Sequence, residues 1–351
     1  MTDPPQSSVS PALITIGRSS IDLYSQDVGK PLPEVRTIGA SLGGSPLNIA
    51  VGASRLGVDA ALVTAVGDDQ VGDFILAGLE REGVSTSYIP RKVGTRTSAV
   101  ILAVQPPDRF PITFYRDNAA DIQLGIDDIQ AVPIEEARAL VVNGTALSKE
   151  PSRSAVLFAC ERARAAGVPV YLDLDFRANQ WHDPRAFGLN VRALLPNVDV
   201  VLGTEEEINA AMLRDPADIT IRHNQMTAPE IRGDVAANTA ALLARVPTVV
   251  VKEGERGCTV HQAGAEPLNV PGFPVEVISI LGAGDAFAAG LITGRLRGWD
   301  WFRSARLGNA CGAIVITRIG CADFTPTQAE VDAFVTEKGG WECPTSPTPA
   351  R

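Results

Sequence analysis

The chain of 351 residues is 45% apolar and 21% charged, which is ordinary for a globular protein and long enough for one large domain or two smaller ones. Its formal net charge of -10 argues against a nucleic-acid partner, whose phosphates require a basic stripe. No apolar run approaches the ~18 residues of a membrane span, and five cysteines without a C-x-x-C pair point to a reducing compartment, the cytoplasm.

The first ten residues, MTDPPQSSVS, are polar, so no signal peptide is expected. The first strand is ALITIG, and residues 21–42 carry no helical period after it. A helix is predicted over 46–56, then the strand AALVTAVG and a second helix over 71–82. SAVILAVQ and FPITFYR read as two strands joined by PPDR. From there apolar strands alternate with amphipathic helices: ARALVVNG, a helix over 152–166, VPVYLDLDF, VDVVLG and a helix over 205–212. The polar stretch 214–234 reads as a surface insertion, followed by a helix over 235–246, PTVVVKEG and a helix over 285–296. The strands are short, β-branched and nearly all apolar, as strands buried on both faces must be. The alternation predicts an α/β protein, with a parallel sheet covered by helices on both sides. The two stretches that break the rhythm suit a small separate sheet, either a lid over the strand ends or a plain surface hairpin. The tail from 340 to 351 is expected to lack order.

Three clusters carry possible chemistry. In LGAGDAF, Gly282 and Gly284 permit close backbone approach at the start of a helix, whose free N–H groups and dipole favour anions. Asp285 would then sit in the first turn, beside a bound phosphate, where an ionised carboxylate is useful as a proton acceptor. A simple helix cap is the commoner meaning of a bare G-A-G-D. In LGGSPLNIA, Gly43 and Gly44 precede a helix with Pro46 in its opening turn, and Asn48 could turn its amide into the same cleft. In DLDFRANQW, Asp173, Asp175 and Arg177 alternate, so they share one face if the strand persists that far. Strand ends are where open α/β sheets bind ligands, and an Arg there can clamp a carboxylate; an internal Asp–Arg pair is the plainer alternative. Arg116 in FYRDN supplies a second guanidinium, and two of them would suit an acidic sugar. No Walker motif, no G-x-S-x-G and no metal-ligand spacing among His182, His223 and His261 is present.

GGSPLNIA near one end of the chain and GAGDAFAAG near the other, in that order, resemble the ribokinase-like (PfkB) carbohydrate kinase family over about residues 12–335. The resemblance implies a doubly wound αβα sandwich over 12–339, a small β-sheet lid from about 18–42 and 97–118, and ATP-dependent phosphorylation of a sugar hydroxyl with Mg²⁺. It makes Asp285 the catalytic base and Gly282, Ala283 and Gly284 the anion hole. Asp22, Gly43, Gly44 and Asn48 become the sugar-binding set. Lys252, Gly254, Gly257 and Asn309 line the nucleotide, and Glu207 acts on the metal through water. It also implies a homodimer through the lid sheet. Two positions depart from the family pattern. Thr204 replaces the asparagine of N-x-x-E, and Ser279 stands where an aspartate is common, which weakens the inference of a monovalent cation. Within the family, FPITFYR, DLDFRANQW and NACGAIVITRIGCADFTPT are most similar to kinases of six-carbon keto-deoxy sugar acids. From residues alone, a sugar-binding protein without transfer and a nicotinamide-dependent oxidoreductase remain alternatives, although no G-x-G-x-x-G follows the first strand.

Overall fold

Side chains of a strand point alternately to its two faces, so a strand without a polar face needs cover on both. The computed structural model, which describes residues 10–106, 109–220 and 229–342, meets that need with one large sheet between helical layers. Its main strands are β1 (Leu13–Ile16), β2 (Ser20–Ser25), β3 (Ile38–Gly43), β4 (Ala60–Val63), β5 (Ser98–Leu102), β6 (Ile112–Tyr115), β7 (Ala139–Asn143), β8 (Val170–Asp173), β9 (Val200–Thr204), β10 (Thr248–Lys252), β11 (Cys258–Gln262) and β12 (Leu268–Val270). The main helices are α1 (Ser45–Arg55), α2 (Gln70–Arg81), α3 (Ser152–Ala166), α4 (Arg185–Leu194), α5 (Glu205–Ala211), α6 (Val235–Leu243), α7 (Ala283–Leu296), α8 (Trp301–Val315) and α9 (Gln328–Glu337).

Eight strands form the large sheet in the order β12-β11-β10-β9-β8-β7-β1-β4. The run from β4 to β10 is parallel, whereas β11 and β12 are antiparallel. Alternation sorts the core: Leu140 and Val142 of β7 pack with α3, α4 and α5, while Ala139 and Val141 pack with α1 and α7. The expected strands and helices stand within a few residues of their predicted bounds. The antiparallel hairpin at the edge and helices α4, α8 and α9 add to them.

The remaining four strands make a second sheet, β3-β2-β5-β6. Tyr24, Val100, Leu102 and Phe110 of this sheet and its turn form a small core with Cys321, backed by Phe114, Leu281 and Ile319. Its other face leaves Ile38 and Tyr115 exposed. β2 follows β1 after three residues, and β3 passes into α1 through Gly44 alone, so the small sheet stands directly over the C-terminal ends of the large one. Cys160, Cys258, Cys311 and Cys321 are buried and unpaired. His223, Cys343, most of the expected tail and the centre of the 214–234 insertion lie outside the described residues.

Candidate active site

α7 begins at a glycine for a backbone reason. Gly282, its N-cap, has φ 77°, a left-handed conformation that costs glycine little and other residues more. The turn leaves the first N–H groups of α7 without helical partners at the positive end of the dipole. Asp285 lies half-buried in that first turn, after Ala283 and Gly284. Asn48 Nδ2, on α1, donates to Asp285 Oδ2 at 2.7 Å, so the two glycine-led motifs meet in space. Burial and the nearby charge of Asp175 push the Asp285 carboxyl up from its ordinary value, against Asn48 and Arg177.

Asp22 reaches the same region from β2. Ser20 Oγ donates to its Oδ1 at 2.8 Å, and a Cβ at position 43 would lie 2.0 Å from its carboxyl carbon. Glycine at 43 is therefore what lets the carboxyl lie across β3. Gly44, the N-cap of α1, has φ 105°. Burial, partly offset by Arg18, pushes Asp22 up to about 6.

The row expected from Asp173 to Arg177 does not form. β8 ends at Asp173, and Asp175 adopts φ 35°, so the alternation is broken after one residue. Asp173 turns instead to Lys252 Nζ at 3.0 Å. Asp175 accepts from Asn143 Nδ2 and Thr145 Oγ1, both at 2.9 Å, and its other oxygen pairs with Arg177 Nη2 at 3.0 Å. Arg116 is buried, with Nε and Nη2 on Asp121 Oδ2 at 2.8 and 2.5 Å; its Nη1 stands 3.3 Å from Gln180 Oε1. Each of the two arginines singled out in the sequence thus already has a carboxylate of its own.

On the far side of α7's first turn a cavity of about 690 Å³ opens. It brings together Lys252, Gly254, Gly257 and Asn309 with Ala283 and Gly284. Phe273, Ile280 and Ile316 give it apolar walls that no motif in the sequence announced. Asn309 does not offer its amide freely: Nδ2 donates to the carbonyls of Val270 and Pro271 at 3.0 and 2.9 Å. Lys252 is held between Asp173 and, at 3.6 Å, Glu207. Burial pulls its ammonium down, but Asp173 and Glu207 more than offset this and keep it above the ordinary lysine range.

Thr204 and Glu207 form a capping box at the start of α5, Glu207 Oε2 accepting from Thr204 N at 2.8 Å. Glu207 Oε1 accepts from Phe176 N at 3.2 Å. Among the described residues no cluster of three His, Cys, Asp or Glu could cage a metal. Asp173 and Glu207, the two carboxylates around Lys252, are oxygen donors of the kind that would suit a phosphate-borne Mg²⁺ held through water. Ser279 is buried and its hydroxyl accepts from Leu281 N at 3.3 Å. Two features went unread in the sequence. Tyr24 and Cys321 touch at 2.8 Å beneath the small sheet, and Arg18 lies buried beside Asp22. The position of Arg18, directly after an apolar strand, was the available signal.

The family model described as pfkB family carbohydrate kinase matches residues 11–328. Over 323 residues the chain is 34% identical to a 5-dehydro-2-deoxygluconokinase of Geobacillus thermodenitrificans, covering 92% of each. Among solved structures, a fructokinase with bound ATP from Xylella fastidiosa is 25% identical with a TM-score of 0.78, over 93% of this chain and 99% of that one. A fructokinase from Vibrio cholerae in its fructose, ADP and calcium ion bound form is 26% identical with a TM-score of 0.75, over the same shares.

Proposed function

The chain belongs to the pfkB family of carbohydrate kinases, and from that premise we propose that it phosphorylates a six-carbon keto-deoxy sugar acid as a 5-dehydro-2-deoxygluconokinase. The observation that carries the kinase chemistry is the contact of Asn48 with Asp285 in the first turn of α7, where the preceding residues Ala283 and Gly284 line the cavity. ATP occupies that cavity, with the glycine and apolar residues around its base and ribose and its phosphates against residues 282–285. The sugar binds between the small sheet and the strand ends, facing Asp22, Asn48 and the Asp175–Arg177 pair. The small sheet acts as a lid that excludes water.

Asp285 accepts the proton of the acceptor hydroxyl as its oxygen attacks the γ-phosphorus and the bond to the β–γ bridging oxygen breaks, releasing ADP. General-base help of this kind is worth ~10²–10⁴ in rate. Its raised pKa suits the task, because a carboxylate made more basic by burial takes the proton more readily. The free N–H groups of α7 and the Lys252 ammonium stabilise charge on the transferred group. Bound Mg²⁺ neutralises charge on the phosphates, and Glu207 and Asp173 would orient its water shell.

The choice of acceptor rests on the similarity to 5-dehydro-2-deoxygluconokinases. ADP release is measured with ATP and a panel of keto-deoxy acids and neutral hexoses. Turnover confined to the acids, with 5-dehydro-2-deoxygluconate the preferred one, supports the reading and assigns the chain to myo-inositol breakdown. Preference for a neutral hexose refutes it. Two finer readings accompany this one. The exposed face of the small sheet, with Ile38 and Tyr115, supports a homodimer through that sheet, which light scattering tests. The unpaired buried cysteines, in a chain with no helix long and apolar enough to cross a membrane among the described residues, support a cytoplasmic place.

A further inference from the structure

Arg18 lies in the three-residue link from β1 to β2, at the C-terminal end of the strand next to the sheet's edge strand β4. Its guanidinium carbon stands 5.0 Å from the centre of the Phe114 ring on β6, so it fills the space between the large sheet's edge and the small sheet. Asp22 is near enough for the Arg18 charge to oppose the effect of its burial, and so is Cys321 beside α7. The residue is 6% exposed, yet it makes no hydrogen bond or ion pair from its side chain among the described residues, and its Nε is buried without a partner. Arg116 and Arg177, by contrast, are matched by Asp121 and Asp175.

A buried guanidinium without a partner is costly, and an anion that arrives with the ligand removes the cost. The Phe114 ring beside it favours the charge without using an N–H group, so the guanidinium can form a two-pronged pair with a carboxylate. We infer that Arg18 binds the carboxylate of the acceptor and sets the enzyme's choice of a sugar acid over a neutral sugar. The inference rests on the reading of the acceptor as a keto-deoxy acid. It explains how a site containing Asp22, Asp175 and Asp285 can accept an anion: one cation there is not already matched.

The test compares wild type with Arg18→Met, using the keto-deoxy acid and the same sugar with a primary amide in place of its carboxylate. The expected result is a KM for the acid raised roughly a hundredfold, since a charge-assisted pair is lost, with KM for ATP unchanged and kcat within a few-fold. Discrimination between acid and amide disappears in the variant. A KM for the acid that stays at the wild-type value overturns the inference, as does an equal loss of acid and amide, which marks a merely structural role. Should Arg18→Met fail to fold by its melting curve, Arg18→Lys carries the test, since it keeps the charge without the planar fork. A roughly tenfold rise in KM for the acid is then expected, and no rise overturns the inference. Wild-type enzyme that uses neutral hexoses and not the acid overturns both readings, a result visible before any variant is made.

Discussion

Replacing Asp22 with Asn should make the protein more stable at neutral pH and a poorer kinase. Burial raises the Asp22 pKa from 3.8 to about 6, so the folded state holds the ionised form at a disadvantage. At ~1.36 kcal/mol per pKa unit, that disadvantage is roughly 3 kcal/mol once the group is fully ionised. The sign follows from proton counting. Below 3.8 the group is protonated folded or unfolded, and no cost arises. Between 3.8 and about 6 the folded state binds more protons, so stability falls as pH rises, and above about 6 the loss is complete. An amide has the shape of the protonated acid and can still accept from Ser20, so Asp22→Asn should recover most of that amount at pH 8 and almost none near pH 4. Denaturant unfolding of both proteins at pH 4, 6 and 8 reads the difference, and an ADP-release assay reads the rise in KM for the sugar. A stability difference independent of pH, or a variant weaker than wild type at pH 8, would refute the reasoning.

Asp285→Asn should lower kcat by ~10²–10⁴ while KM for ATP holds, and turnover near the wild-type rate would remove the base assignment. Because burial raises the Asp285 pKa, wild-type kcat should fall as pH drops through a value above that of an ordinary aspartate, and the residual rate of the variant should not follow it. Lys252→Met leaves Asp173 and Glu207 facing each other without their cation, an expected loss of ~3–5 kcal/mol; adding Asp173→Asn should restore part of it, as paired melting curves would show. Gly43→Ala puts a methyl 2.0 Å from the Asp22 carboxyl carbon, so KM for the sugar should rise well beyond any change in KM for ATP, read from initial rates with each substrate varied in turn.

The large sheet was legible because its strands carry no polar face, and the run from Leu13 to Val251 announces strands buried on both sides. β11 and β12 were harder to read: CTVHQ and LNV are short and mixed, and only the turn through Gly257, the pairing of β11 with β10 and that of β12 with β11 make them strands. α8 is not legible as an apolar period because WFRSARLGNACGAIV mixes charge with small residues that become buried only when α7 lies against it, and only the family resemblance put a helix at Asn309. In the site, local motifs located Asp285 and Asn48, but their 2.7 Å contact joins residues 237 apart in the chain and no local pattern encodes it. DLDFR misled for a conformational reason. Period-two logic assumes extended backbone, and the left-handed Asp175 ends it one residue after β8. The two arginines stood out by type, whereas which guanidinium lacks a partner depends on Asp121 and Asp175, a matter of packing that spacing cannot report.

The donor cavity draws its walls from residues 204–316, whereas Arg18, Asp22, Gly43 and Asn48 all precede α2 and the small sheet closes by residue 115. On the proposed reading, donor and acceptor recognition are written in successive stretches of the chain, which meet at the contact of Asn48 with Asp285 and at the pair of Asp173 with Lys252. A chimera that grafts the leading stretch of one sugar kinase onto the trailing stretch of another should inherit its taste for sugar from the first parent and its nucleotide handling from the second. The seam to preserve in such a graft is the interface of α1 with α7.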